Sequence, residues 1–177
     1  MGRIIYITGG ARSGKSAFAE QRALEFPPLH GYLATAQVLD SEMEERISRH
    51  RERRGDSWRT VEEPLRLEQV LLEVDGRYSV VLIDCVTLWV TNLLFHYGED
   101  TPDSEARILA DVRSLAGRLR ELATPVILVS NEVGMGIVPE NRLARRFRDI
   151  AGRVSQILAA AADEAWLVAS GLPLRLK

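Results

Sequence analysis

Ile4-Ile5-Tyr6-Ile7-Thr8-Gly9-Gly10-Ala11-Arg12-Ser13-Gly14-Lys15-Ser16 sets a short apolar, β-rich run directly before a glycine-rich turn. Ile4–Thr8 reads as a buried strand, and Lys15 to Glu25 has helical character up to Pro27-Pro28. Gly9, four residues, Gly14, Lys15 and Ser16 have the spacing of a phosphate-binding loop, in the strand-to-helix setting such a loop requires. Glycines let the backbone curl until its N–H groups converge on phosphate oxygens. The new helix points its positive end at the same place. Lys15 is expected to reach the β- and γ-phosphates and Ser16 to ligate magnesium. The pattern arises by accident in roughly 1% of chains of this length, and its place after a first strand makes accident rarer still. Gly9, Gly10, Ala11, Arg12, Ser13, Gly14, Lys15 and Ser16 are therefore read as a nucleoside-triphosphate site.

Outward from the loop, apolar strand-like runs alternate with helical spacing. Strands are expected at Gly31–Thr35, Trp58–Glu62, Tyr78–Asp84, Val126–Val129 and Ala165–Ala169, with Leu172–Leu176 pairing onto the last. Helices are expected from Asp40 or Ser41 to Arg54, Leu65 to Val74, Thr87 to Tyr97, Ser104 to Ala123 and Pro139 to Ala162. The alternation predicts an α/β fold, with a mainly parallel sheet flanked by helices on both faces, in one domain spanning residues 1–177. Asp84 closes the run Val80-Val81-Leu82-Ile83. It is read as a magnesium or water holder facing the nucleotide, against the plainer reading of a cap on the next turn.

A net charge of −2 argues against the whole chain acting as an electrostatic trap for nucleic acid. The apolar stretches are broken by Asp84 and by Asp163-Glu164, so none spans a bilayer. Cys85 is the single cysteine, which excludes a disulfide framework and a thiolate metal cluster. No signal-peptide layout follows Met1, and a cytoplasmic location is expected.

Of the three histidines, His30 and His96 read as structural or exposed. His50 lies in Arg46-Ile47-Ser48-Arg49-His50-Arg51-Glu52-Arg53-Arg54 and shares a helical face with Met43 and Ile47. Two readings fit that spacing: an incidental histidine on a solvated basic helix, and a neutral imidazole nucleophile beside nucleotide phosphates. No Asn-Lys-x-Asp segment occurs, so base preference has no local signature.

The chain resembles the bifunctional adenosylcobinamide kinase / adenosylcobinamide-phosphate guanylyltransferase family of cobalamin biosynthesis over nearly its whole length. The resemblance is carried by Thr8–Ser16, by Ala34-Thr35-Ala36 followed by Asp40 to Arg54, and by Thr87 through Thr91-Asn92-Leu93-Leu94-Phe95. The most specific stretch is Asn131-Glu132-Val133-Gly134-Met135-Gly136-Ile137-Val138-Pro139-Glu140-Asn141-Arg142, continuing through Arg146-Phe147-Arg148-Asp149-Ile150-Ala151-Gly152-Arg153. The resemblance implies two reactions. The aminopropanol hydroxyl of adenosylcobinamide takes the γ-phosphate of ATP or GTP. GMP from GTP then passes through a guanylylated histidine to give adenosylcobinamide-GDP and pyrophosphate. It implies His50 as that histidine, with Arg49 where some relatives carry a second histidine. It further implies nucleotide contacts at Gly9–Ser16, Ala34, Thr35, Ala36, Arg51, Glu52, Arg53, Arg54, Glu62 and Asp84, a RecA-like domain and a homotrimer. Two other readings remain at this point: a kinase alone, or a non-catalytic nucleotide switch or nucleic-acid clamp built on the arginines of 142–153.

Overall fold

β1 (Ile4–Gly9) is buried along its whole length and lies inside a seven-stranded sheet. A computed structural model describes residues 2–36 and 55–177. The other strands are β2 (His30–Ala34), β3 (Trp58–Glu62), β4 (Val80–Asp84), β5 (Val126–Asn131), β6 (Glu164–Ala169) and β7 (Leu172–Arg175). Among the described residues the helices are α1 (Lys15–Ala23), α2 (Leu67–Val74), α3 (Val86–Tyr97), α4 (Ser104–Leu119) and α5 (Arg142–Ala161). The helix expected from Asp40 to Arg54, with His50, Arg51, Glu52, Arg53 and Arg54, lies outside the described residues.

The strand order is β3-β2-β4-β5-β1-β6-β7, and every neighbouring pair is parallel except β6 with β7. The continuous apolar runs of β1, β4 and β5 follow from burial on both faces. Ile4 and Tyr6 point into a core shared with α2, α3, α4 and α5. Ile5 and Ile7 point the other way, against Ala19 and Ala23 of α1. Each of these fully buried isoleucines contributes about 1.5–3 kcal/mol of apolar burial.

The two helix ends furthest from expectation differ for local reasons. α4 stops at Leu119 rather than Ala123. The Asp75 carboxylate accepts the N–H groups of Ala123 (3.1 Å) and Thr124 (2.9 Å), which holds that segment in a turn. α5 begins at Arg142 rather than Pro139 because Asn141 caps it, its Oδ1 accepting from Ala144 N at 3.0 Å. Functionally, the main consequence of the strand order is that β5 separates β1, which leads into the glycine loop, from β4, which ends on Asp84.

Candidate active site

The glycine loop joins the carboxyl end of β1 to the amino end of α1. Gly14 adopts φ +95° as the residue before the helix, and Arg12 also has positive φ, at 56°. Glycine adopts such a φ freely, whereas at Arg12 it stores strain of the kind that concentrates where backbone must face a ligand. The loop is held from inside. Ser13 N donates to Gly10 O (3.2 Å), Gly171 N donates to Ser13 O (2.8 Å), and Phe18 N donates to Gly14 O (3.0 Å). A Cβ on Gly9 would stand 2.4 Å from Val168 O and 2.6 Å from Ser13 Oγ, so only glycine lets the loop leave the sheet here. Gly14, Lys15 and Ser16 open α1, where N–H groups have no carbonyl partner in the helix. The first turn carries no acidic residue to neutralise its positive end. Lys15 Nζ folds back to donate to Gly10 O at 3.3 Å. Ala11 and Arg12 are exposed at the loop's outer edge, and Gly10, Lys15 and Ser16 are half-buried. The hydroxyls Thr8 Oγ1 and Ser13 Oγ are buried with no partner among the described residues, an unusual state for polar atoms.

Asp84 stands at the end of β4, in register with Ala34 of β2, which is in turn in register with Glu62 of β3. These three predicted residues thus share one edge of the sheet, the edge from which the loop also springs. Cys85 reports how close the parts are. Burial, then the Asp84 charge, pushes its thiol up to about 11, and Lys15 acts in the opposite direction. Asp84 and Lys15 thus both act on the Cys85 thiol, although a strand lies between their own strands.

Thr35 has a different place from that of a surface contact. It is fully buried. Its Oγ1 donates to Cys85 O (2.7 Å) and accepts from Cys85 N (2.9 Å), and its N donates to Asp84 O (3.3 Å). Its carbonyl accepts from Asn92 Nδ2 (2.8 Å), which also donates to Pro64 O (3.0 Å). Asn92, Thr87 and Glu63 are the residues whose roles sequence reasoning missed. Thr87 Oγ1 accepts from Asn131 N (2.6 Å) and lies 3.3 Å from Ser130 Oγ, tying β5 to the start of α3. Glu63, buried, accepts from Leu65 N (3.0 Å) and Arg66 N (2.9 Å) at the start of α2. Only the Pro64 helix-start signal pointed there.

Four of the five arginines of α5, Arg145, Arg146, Arg148 and Arg153, make contacts within the molecule. Arg145 donates to Pro139 O (2.9 Å) and Glu140 O (2.6 Å), Arg146 to Glu99 O, Thr101 O and Ser104 Oγ, and Arg148 to Gly134 O. Arg153 pairs with Glu105 at 2.6 Å. Arg145, Arg146 and Arg148 fasten loops, and Arg153 ties α5 to α4. Among the described residues no helix is long and apolar enough to cross a membrane.

Comparison with known proteins gives both family and fold. A family model described as cobinamide kinase / cobinamide phosphate guanyltransferase matches residues 5–176. The chain is 50% identical over 181 residues to the bifunctional adenosylcobalamin biosynthesis protein CobU of Escherichia coli (strain K12), covering 98% of this chain and 99% of that one. It is 47% identical to the CobU protein of Salmonella typhimurium, with the same coverage, and 44% identical to CobP of Pseudomonas aeruginosa, covering 97% and 95%. Among solved structures it is similar to the ATPase EscN of an enteropathogenic E. coli type III secretion system, with a TM-score of 0.62 at 11% identity, covering 94% of this chain but 42% of that one. The RadB recombinase gives a TM-score of 0.54 at 13% identity, covering 93% and 73%. These two likenesses identify the fold, a RecA-like P-loop α/β domain.

Proposed function

The chain belongs to the cobinamide kinase / cobinamide phosphate guanyltransferase family, and from that premise we propose how its residues divide the two reactions. It is a bifunctional enzyme of cobalamin biosynthesis, acting on a nucleotide and a cobinamide. The observation that supports the division is the loop at Gly9–Ser16, whose curled backbone and α1 head can hold the terminal phosphates of a triphosphate while His50 approaches the α-phosphate.

In the kinase step, the aminopropanol hydroxyl oxygen of adenosylcobinamide attacks the γ-phosphorus of ATP or GTP. The bridge to the β-phosphate breaks, the nucleoside diphosphate departs, and the hydroxyl proton is released. Lys15 and the N–H groups at the head of α1 stabilise the charge, and little else is required of the protein. In the transfer step, a neutral His50 nitrogen attacks the α-phosphorus of GTP and pyrophosphate leaves into the same cradle. A phosphate oxygen of adenosylcobinamide phosphate then displaces the imidazole, giving adenosylcobinamide-GDP and restoring His50.

Ser16 and Asp84 offer hard oxygen ligands beside the phosphate cradle, a donor set that suits magnesium completed by phosphates and water. Magnesium bound there would offset the negative charge of the β- and γ-phosphate oxygens. Ala34, Ala36, Glu62 and the stretch Arg51–Arg54 complete the nucleotide site in this reading, with Thr35 acting through its neighbours. The chain works as one domain in a cytoplasmic homotrimer.

The test is incubation with α-labelled GTP and magnesium. Acid-labile, base-stable label should appear on the parent protein and be absent from His50→Ala. Equal labelling of both would remove His50 from the mechanism. Cobinamide phosphate formed without any adenosylcobinamide-GDP would reduce the enzyme to a kinase.

A further inference from the structure

We propose that the exposed apolar tip of the segment after β5, Met135, Ile137 and Val138, is the platform on which the corrinoid substrate docks. The proposal rests on the functional reading above and names the surface that receives its larger substrate.

Three observations carry it. The first is exposure: Ile137 is 96% exposed, Met135 78% and Val138 64%. Apolar side chains grouped this way mark a surface that another body covers. The second is rigidity. The segment is pinned at its root by Glu132 N donating to Gly9 O (2.9 Å), and by Arg148 on Gly134 O. Its far end is pinned by Arg145 on Pro139 and Glu140 and by the Asn141 cap. A surface already ordered loses little entropy when a ligand arrives.

The third is position. The acceptor hydroxyl must reach a γ-phosphate held over Lys15, so its macrocycle must rest at the carboxyl edge of the sheet. Five residues beyond Glu132, Ile137 stands at most about 18 Å from the point where the segment touches the glycine loop. Apart from Leu172, the other large exposed apolar side chains among the described residues are not tied to the glycine loop by a neighbouring contact. Leu24, Leu72 and Phe95 are on the later turns of helices that run away from that edge, or just past them. Leu172 opens the free edge strand β7 as a single side chain beside Gly171, which touches the glycine loop, and Leu174 and Leu176 lie further along the chain from that contact.

The chemistry matches the occupant. A corrinoid presents broad apolar faces fringed by carboxamide arms. The tip presents apolar side chains around Gly136, which has nothing within 4 Å on its side-chain side, so the backbone there is open to amides.

The experiment uses the full-length enzyme with Ile137→Glu and, separately, Met135→Ser. Three quantities are measured: KM for adenosylcobinamide in the kinase reaction at saturating nucleotide, Kd for a fluorescent GTP analogue, and mass in solution. The expected result for Ile137→Glu is a KM raised by about tenfold or more, as loss of one buried aliphatic contact predicts. Met135→Ser should shift KM in the same direction, with nucleotide Kd and mass unchanged in both. An unchanged KM overturns the platform. So does a fall in mass, which would make the tip a contact between copies of the chain, or a parallel loss of nucleotide affinity. If the parent enzyme does not phosphorylate adenosylcobinamide at all, the functional reading itself fails and takes the platform with it.

Discussion

Cys85 follows the proposed magnesium ligand directly, yet nothing about it is reactive. It is 5% exposed, and burial together with the Asp84 charge raises its thiol to about 11. Thiolate is the attacking form, so at about pH 8 only a trace of it exists even where reagent could reach. The native protein should therefore resist iodoacetamide, and denaturant should expose one alkylatable site per chain. Fast alkylation of the folded protein would mean that the end of β4 is open, contrary to the Thr35–Cys85 hydrogen bonds. At this scale the glycine loop was legible because its signal is local: glycine, lysine and serine at fixed spacing between a strand and a helix. Thr35, Glu63 and Asn92 were not legible in role. The partners of Thr35 and Asn92 lie 50 and 57 residues away, and a threonine or asparagine read alone suggests a turn as readily as a strut.

Among the elements, α3 does more than cover the sheet. Asn92 joins the residue after β2 to Pro64 after β3, and one turn earlier Trp89 Nε1 donates to Leu65 O at 2.9 Å. α3 thus fixes the edge that carries Ala34, Ala36 and Glu62 relative to Asp84. Asn92→Leu leaves two carbonyls without their donor, and the stability cost should be about 1–3 kcal/mol. Asn92→Asp separates positioning from mere packing. Near neutral pH its carboxylate faces two carbonyl oxygens and repels them; protonated, it regains one donor. The two carbonyls should raise the introduced carboxyl above its ordinary value, so the variant's Kd for a GTP analogue, taken relative to the parent at each pH, should worsen as pH rises from about 4 to about 7.5. A ratio that stays flat would show that Asn92 only fills space. The order of elements was legible because burial on both faces writes strands as unbroken apolar runs. Sheet order was not, since the insertion of β5 between β1 and β4 depends on pairings that no single segment encodes.

Across the whole molecule, stability in acid should follow two carboxylates that bracket α2. Glu63 receives the N–H groups at its start, and Asp75 receives those of Ala123 and Thr124 beyond its end. In both, burial alone would raise the pKa, but the hydrogen bonds outweigh it and hold the carboxyl below its ordinary value. A group depressed in the folded state contributes stability that is complete above its unfolded pKa and is lost as pH falls through the folded one. For these two groups the stabilisation is thus full above about pH 5 and disappears well below pH 4. Glu63→Gln and Asp75→Asn should each cost about 1 kcal/mol near neutrality once solvent screening is allowed for. That corresponds to about 2–4 °C in Tm for a chain of this size. The sites stand about 12 Å apart along the helix, so the double variant should show the sum of the two losses. Thermal melts at neutral pH and at about pH 3 decide the matter. The deficits of all three variants should shrink in acid, because the parent has by then lost the same interactions. Deficits of equal size at both pH values would place the effect in side-chain packing instead of ionised carboxylates, and the acid sensitivity of the fold would have to arise elsewhere.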